Sequence, residues 1–191
     1  MGLHILHVVP TFFPATFYGG PIFSVYNLCS QLAASDDIRL TVLTTDSSGP
    51  SLQNRLLTEK TPSKFEPGFD VFYCFKTGPG LFAPSLLFRL VKIIVAVDVV
   101  HLTGVYSFTT FPVLILCRLI GKPLVWSPRG AFQRWKGSRN IWLKSCWDKL
   151  CQILAPNRII IHVTSKEEAD ESMGRIPQFQ SIIIPNGVSI P

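Results

Sequence analysis

Charge is scarce in this chain. Of 191 residues only 16% are charged, and acids are the scarcer sign, 12 against 18 bases, for a net +6. With 47% apolar residues, that composition excludes a disordered polyelectrolyte and suits one domain with a core of its own. The basic excess alone does not choose among nucleic acid, an anionic membrane and an anionic substrate.

Metal and disulfide signals are missing as well. The five cysteines (Cys29, Cys74, Cys117, Cys146 and Cys151) are odd in number, sit in apolar segments and form no Cys-x-x-Cys pair. A zinc site or disulfide framework is not expected, and buried thiols in a reducing, cytoplasmic compartment are. No Asp-x-Asp occurs, so a metal-chelating nucleotide-sugar site of that type has no support. Neither Gly-x-Gly-x-x-Gly nor Gly-x-x-x-x-Gly-Lys is present, which excludes the dinucleotide fingerprint and the P-loop. No helix-turn-helix, zinc-finger or RNA-binding signature accompanies the bases, so no nucleic-acid partner is expected.

Long apolar runs are lacking too. A spanning helix needs about 18 uninterrupted apolar residues. The region Leu81 to Val100 is broken by Pro84, Arg89, Lys92 and Asp98, and Phe108 to Ile120 is short and carries Pro112 and Arg118. The N-terminal run has no basic leader and is interrupted by His4, His7 and prolines, unlike a secretory signal. Peripheral contact with the inner face of a membrane remains open.

What is present is alternation. Strand-like runs occur at Leu3–Val9, Ile38–Thr44, Phe69–Phe75, Asp98–Leu102, Leu124–Ser127, Arg158–Val163 and Ser181–Ile184. Helical patterns lie between them at Ile22–Ala34, Pro84–Val97, Thr109–Ile120 and Ser138–Leu154, with another starting after Ser165. Ser165 followed by Glu167 and Glu168 is a helix-start signal. Thr45 to Gly68 reads as a polar excursion with one helical turn near Leu52–Leu57, and Gly78-Pro79-Gly80 as a turn. The sum is an α/β, Rossmann-like, doubly wound and mainly parallel sheet of about seven strands with helices on both faces. In such a sheet ligands sit at the carboxyl ends of the strands.

Four residues at those ends stand out. Gly19 and Gly20 precede the first helix, whose free N–H groups suit a phosphate; a tight turn needing positive φ fits the same pair. Arg129, in Ser127-Pro128-Arg129-Gly130, leaves a central strand where a guanidinium can clamp a phosphate or carboxylate. His101 ends another central strand, either as a base or sugar-hydroxyl donor or as a buried histidine bonded to its surroundings. His4, His7 and His162 read as structural. The window from Arg129 to Arg158 holds seven bases, one acid (Asp148) and Trp135, Trp142 and Trp147. It fits an interfacial membrane helix and equally a core-facing helix with a solvated basic back.

Taken together, the motifs resemble the N-terminal half of a retaining glycosyltransferase of the family 4 type, with its two-domain GT-B fold. The stretches that carry the likeness are Ile5-Leu-His-Val-Val-Pro with Gly19-Gly20-Pro21, Leu40-Thr-Val-Leu-Thr-Thr45, Asp98-Val-Val-His101, Ser127-Pro128-Arg129-Gly130, Val163-Thr-Ser165 with Glu168, and Ile184-Pro-Asn-Gly-Val188. The resemblance implies an acceptor-side domain over residues 1–185, with 186–191 opening the linker to a C-terminal domain outside this sequence. It implies that Gly19 and Gly20 lie against the diphosphate of a nucleotide-sugar donor, that His101 matches a recurrent histidine, and that Arg129 stands where relatives often hold histidine. It implies no metal and no cofactor beyond the donor itself, with a polysaccharide or lipid-linked acceptor. The alternative expectation is a non-catalytic membrane-binding or scaffold module for a partner transferase. A third is a flavodoxin-like domain holding a small phosphorylated ligand at Gly19-Gly20.

Overall fold

The computed structural model describes residues 2–57, 62–65, 68–78, 81–133 and 140–187. Within them lie eight strands: β1 (Leu3–Val8), β2 (Ile38–Thr45), β3 (Ser63–Phe65), β4 (Phe69–Cys74), β5 (Val99–Thr103), β6 (Leu124–Ser127), β7 (Ile159–Val163) and β8 (Gln180–Ile183). The helices are α1 (Gly20–Ala33), α2 (Pro84–Ile94), α3 (Thr110–Ile120), α4 (Ile141–Leu154) and α5 (Lys166–Arg175). One sheet runs β3-β4-β2-β1-β5-β6-β7-β8, parallel throughout except for β3 on β4.

Strand β1 explains the layering. Alternate side chains of a strand point to opposite faces. Leu6 and Val8 join the larger core with Leu86 and Leu90 of α2, Leu114 of α3 and Cys151 of α4. Ile5 and Val9 join a second core with Val25 and Cys29 of α1. Among the described helices α1 alone covers its face, while α2 to α5 cover the other. From β1 the chain passes through α1 to β2 on one side and returns through α2 to β5 on the other. The order therefore reverses between β1 and β5, which is where parallel α/β sheets open a crevice.

The sheet has one strand more than the sequence pattern suggests. β3 is three residues long and antiparallel, too short to carry a periodic signal. Phe65 holds it in place by stacking on Phe69 at 5.6 Å. The helical turn expected near Leu52–Leu57 is absent; those described residues form non-helical turns. The cause is Lys76, whose buried ammonium donates to Ser47 Oγ (3.0 Å) and to the carbonyls of Gly49 (3.0 Å) and Ser51 (2.7 Å). A buried cation needs such oxygens, so the loop turns its carbonyls inward rather than along a helix. Pro79, Gly80, Ser138 and Val188, named in the sequence reading, lie outside the described residues, as do Arg134, Trp135, Lys136 and Arg139 of the basic window.

Helix α2 shows how strongly the core is committed. Leu86, Leu90 and Ile94 face the sheet and are buried, while Phe88 on the same helix faces outward. Leu90→Ala should lower the unfolding free energy in urea by about 3 kcal/mol, because a cavity replaces a packed side chain. Phe88→Ala should change it by less than about 0.5 kcal/mol.

Candidate functional site

The reversal between β1 and β5 brings a polar row onto the α1 face of the sheet. His7 pairs in register with His101 across the β1–β5 seam, and their rings stack at 4.2 Å and 9°. His7 bonds Thr103 Oγ1 through Nε2 (2.8 Å) and Cys29 Sγ through Nδ1 (3.3 Å). Burial pushes the Cys29 thiol up to about 12, so it stays protonated and donates to Nδ1. The Nε2–H of His7 then donates to Thr103.

A second chain starts at His101. Its Nε2 meets Ser127 Oγ at 2.7 Å, Ser127 Oγ meets His162 Nδ1 at 2.8 Å, and His162 Nε2 meets the Ile184 carbonyl at 3.1 Å. A carbonyl only accepts, so His162 carries its proton on Nε2 and accepts at Nδ1. Ser127 therefore donates to His162, and His101 donates to Ser127. Burial holds all three rings below the ordinary imidazole value; the Arg129 charge lowers each further, and neighbouring rings do so for His7 and His101. For His162 the Ile184 carbonyl and Glu168 oppose that shift in part.

Arg129 sits above this row. It has φ 53°, an uncommon conformation for a residue with a side chain. The bend is held by Glu168, whose Oε1 accepts from Gly130 N (2.6 Å) and whose Oε2 accepts from Thr164 N and Thr164 Oγ1 (2.8 Å each). Glu168 is in turn placed by the start of α5, where Ser165 Oγ accepts from its amide at 3.2 Å. One carboxylate thus ties the loop after β6 to the end of β7. Arg129 Nη1 donates to Asn186 Oδ1 at 2.5 Å, while its Nε is buried with no acceptor among the described residues.

Two adjoining openings share Arg129 and Asn186. One, of about 580 Å3, runs between Ser24, Asn27 and Gln31 on α1 and His162 with the Ile184–Gly187 segment. The other, of about 380 Å3, lies between Gly20, Pro21 and Ser24 at the start of α1 and Gly130, Thr164 and Glu168. Gly19 caps α1 with φ 68° and ψ −136°, backbone open in practice only to glycine. Nothing lies within 4 Å of where a Cβ on Gly20 would stand. The tight-turn requirement is thus met at Gly19, and the open approach at Gly20.

The structure therefore brings Gly20 and Arg129 to one opening, with Gly19 one residue behind. His101 lines neither opening; it lies buried beneath and reaches the larger one only through Ser127 and His162. Helix α1 begins at Gly20, two residues before the apolar pattern suggests, because Gly20 and Pro21 fill the first turn without side-chain requirements. Several site residues escape sequence reasoning. His162 looks like a strand residue and Glu168 like a helix-start acid. The polar stripe Ser24, Asn27 and Gln31, at i, i+3 and i+7, was readable as the helical face opposite the apolar one.

The neutral row makes stability pH-dependent. His7 is held near 3 when folded and returns to 6.5 when unfolded. Between those values the unfolded chain binds a proton that the folded chain does not. Stability is thus full above about pH 6.5 and falls as pH drops toward 3, by at most about 1.4 kcal/mol per pH unit per histidine. Urea unfolding across pH 7 to 4 should show this fall, and His7→Gln should shallow it.

Among solved structures the chain is similar to a sucrose-phosphate synthase from Thermosynechococcus elongatus, with a TM-score of 0.65 and 13% sequence identity. The likeness covers 97% of this chain and 48% of that one, so the chain spans about half the length of the structure it matches. No protein-family model and no curated protein sequence matches it. At that identity the likeness is one of fold: the chain has a Rossmann-like α/β architecture that about half of that synthase shares.

Proposed function

We propose that this chain is the acceptor-side half of a glycosyltransferase of the family 4 type. It would act with further polypeptide to move a sugar from a nucleotide-sugar to a polysaccharide or lipid-linked acceptor. The observation that carries the reading is the shared opening at the start of α1, where Gly20 and Arg129 stand together at the carboxyl edge of a parallel sheet. Pro21 has no N–H and the Ile22 amide donates to Gly19, so the start of α1 offers the positive end of its dipole and close backbone approach at Gly20, which with a guanidinium suit a diphosphate. Arg129 lines both openings, where a phosphate oxygen would meet its positive charge. The likeness in fold to half of a synthase supports the division of the site between two halves.

In this reading Arg129 binds and orients the diphosphate, and Gly19 shapes the turn that lets the backbone approach. Ser24, Asn27 and Gln31 offer neutral donors and acceptors suited to sugar hydroxyls. His101 is a positioning residue that acts through Ser127 and His162. No metal is needed, since the positive charge comes from Arg129 and the helix start.

Amide shifts in the 15N-labelled chain titrated with UDP-glucose, GDP-mannose and inorganic pyrophosphate test the donor contact. Shifts should gather at Gly19 to Ser24 and at Arg129–Gly130, and Arg129→Ala should weaken binding by tenfold or more, about 1.4 kcal/mol. Binding unchanged in Arg129→Ala would remove the diphosphate site. Sugar transfer by this chain alone would refute the divided active site.

A further inference from the structure

The helical layer on the other face of the sheet is apolar on both of its sides. Helix α3 packs against α2 and α4 to form that layer. A helix covering a core ordinarily turns a polar back to water. Here the outward residues of α2 are Phe88, Val91 and Lys92, with Val95 just after it, spaced at i, i+3, i+4 and i+7. Leu119 of α3 and Trp142 and Ile153 of α4 continue the surface. Phe88 is 73% exposed, Leu119 75%, Trp142 68% and Ile153 65%. Single exposed apolar residues are ordinary; one surface of three adjacent helices displaying them is a docking face.

Its charge has one sign. Helices α2 and α3 carry no acid, and the single acid of α4, Asp148, is buried and accepts from Arg175 Nε at 2.7 Å. The bases on the layer are Arg89, Lys92, Arg118, Lys144 and Lys149, with Lys122 just after α3. Lys92 and Lys149 are exposed beside the apolar tips. The exposed acids bordering the layer are Asp98, just after α2, and Glu167, Asp170 and Glu171 on α5, next in the layer. The face thus ends at an acidic border.

We propose that the outer face of α2, α3 and α4 rests on an anionic lipid surface. Hydrocarbon takes the apolar tips, lipid phosphates take the lysines, and the acidic α5 marks the side that stays in water. A second copy of the chain would set like charges against one another across the interface, so self-association is disfavoured. This face is wider than the basic tryptophan window of the sequence reading. Trp147 of that window is not displayed: it packs on Phe111 with ring centres 4.1 Å apart, and its Nε1 donates to the Val105 carbonyl at 3.0 Å. The helices that bear the face are too short to cross a bilayer, and among the described residues no helix is long and apolar enough to do so. The openings at Arg129 lie on the α1 side of the sheet, so docking leaves them free. The inference stands apart from the transferase reading.

Vesicle flotation of the whole chain tests it. The chain should float with mixed phosphatidylglycerol–phosphatidylcholine vesicles, and about tenfold less with phosphatidylcholine alone or in high salt. Two variants locate the surface: Lys92→Glu with Lys149→Glu, and Phe88→Ser with Leu119→Ser. Each should cut flotation by about tenfold or more while circular dichroism and thermal unfolding stay unchanged. Failure to float on anionic vesicles overturns the proposal. So does flotation that neither variant alters, and so does a concentration-dependent dimer, seen by sedimentation, that the same variants dissolve.

Discussion

Everything at the carboxyl edge of this sheet depends on keeping three buried histidines neutral and partnered. A charged imidazole in that position would face burial, two neighbouring rings and Arg129 at once. Neutral rings need partners, and these come from the register of four strands together with Cys29 of α1 and the Ile184 carbonyl. His7 reaches Thr103 one strand over, and His101 reaches His162 through the single hydroxyl of Ser127. A slip of one residue in β5 or β6 would turn these groups to the apolar face occupied by Trp126 and Leu102. The polar row therefore specifies pairing at the seam where the chain reverses, which the apolar residues alone specify less sharply.

The same row sets the electrostatics of the openings. With the imidazoles neutral, the positive charge beside the start of α1 is Arg129, and its position is fixed from below. Glu168 holds the bend of the loop by three hydrogen bonds rather than by pairing directly with the guanidinium. That arrangement leaves Nη1 of the arginine to donate to Asn186, and the residue lines both openings. Sequence position placed Arg129 at a strand end; only the fold shows that an acid 39 residues later keeps it there, as their numbers 129 and 168 give.

The fold was legible because its signal is local. Each of the seven strands read from the sequence has a counterpart in the sheet, with ends shifted by at most one residue, since a buried parallel strand is a continuous apolar run. β3 and the loop around Lys76 were not legible, because a three-residue antiparallel strand and a lysine seeking carbonyls leave no periodicity. Of the site, Gly19, Gly20 and Arg129 were visible through turn chemistry and strand-end position. His162, Ser127 and Asn186 were not, because their roles arise from contacts across 22 to 57 residues of chain. The tryptophan window misled in part for the same reason. Sequence spacing puts Trp142 and Trp147 on one helix, but the fold buries one against Phe111 and displays the other.

What the openings lack, among the described residues, is a group free to move a proton. Glu168 is the one carboxylate lining them, and both of its oxygens already accept hydrogen bonds that hold the backbone. His162 lines the larger opening, yet its Nδ1 accepts from Ser127 and its Nε2 donates to Ile184, so neither nitrogen is available without dismantling the chain beneath it. Arg129 cannot serve as a base at any ordinary pH. The described residues on this edge thus present one positive charge and neutral hydrogen-bonding groups rather than a free acid or base. A reaction at this edge would draw its proton transfers from the substrates themselves or from groups on an opposing surface, and that is the division of labour a two-sided cleft provides.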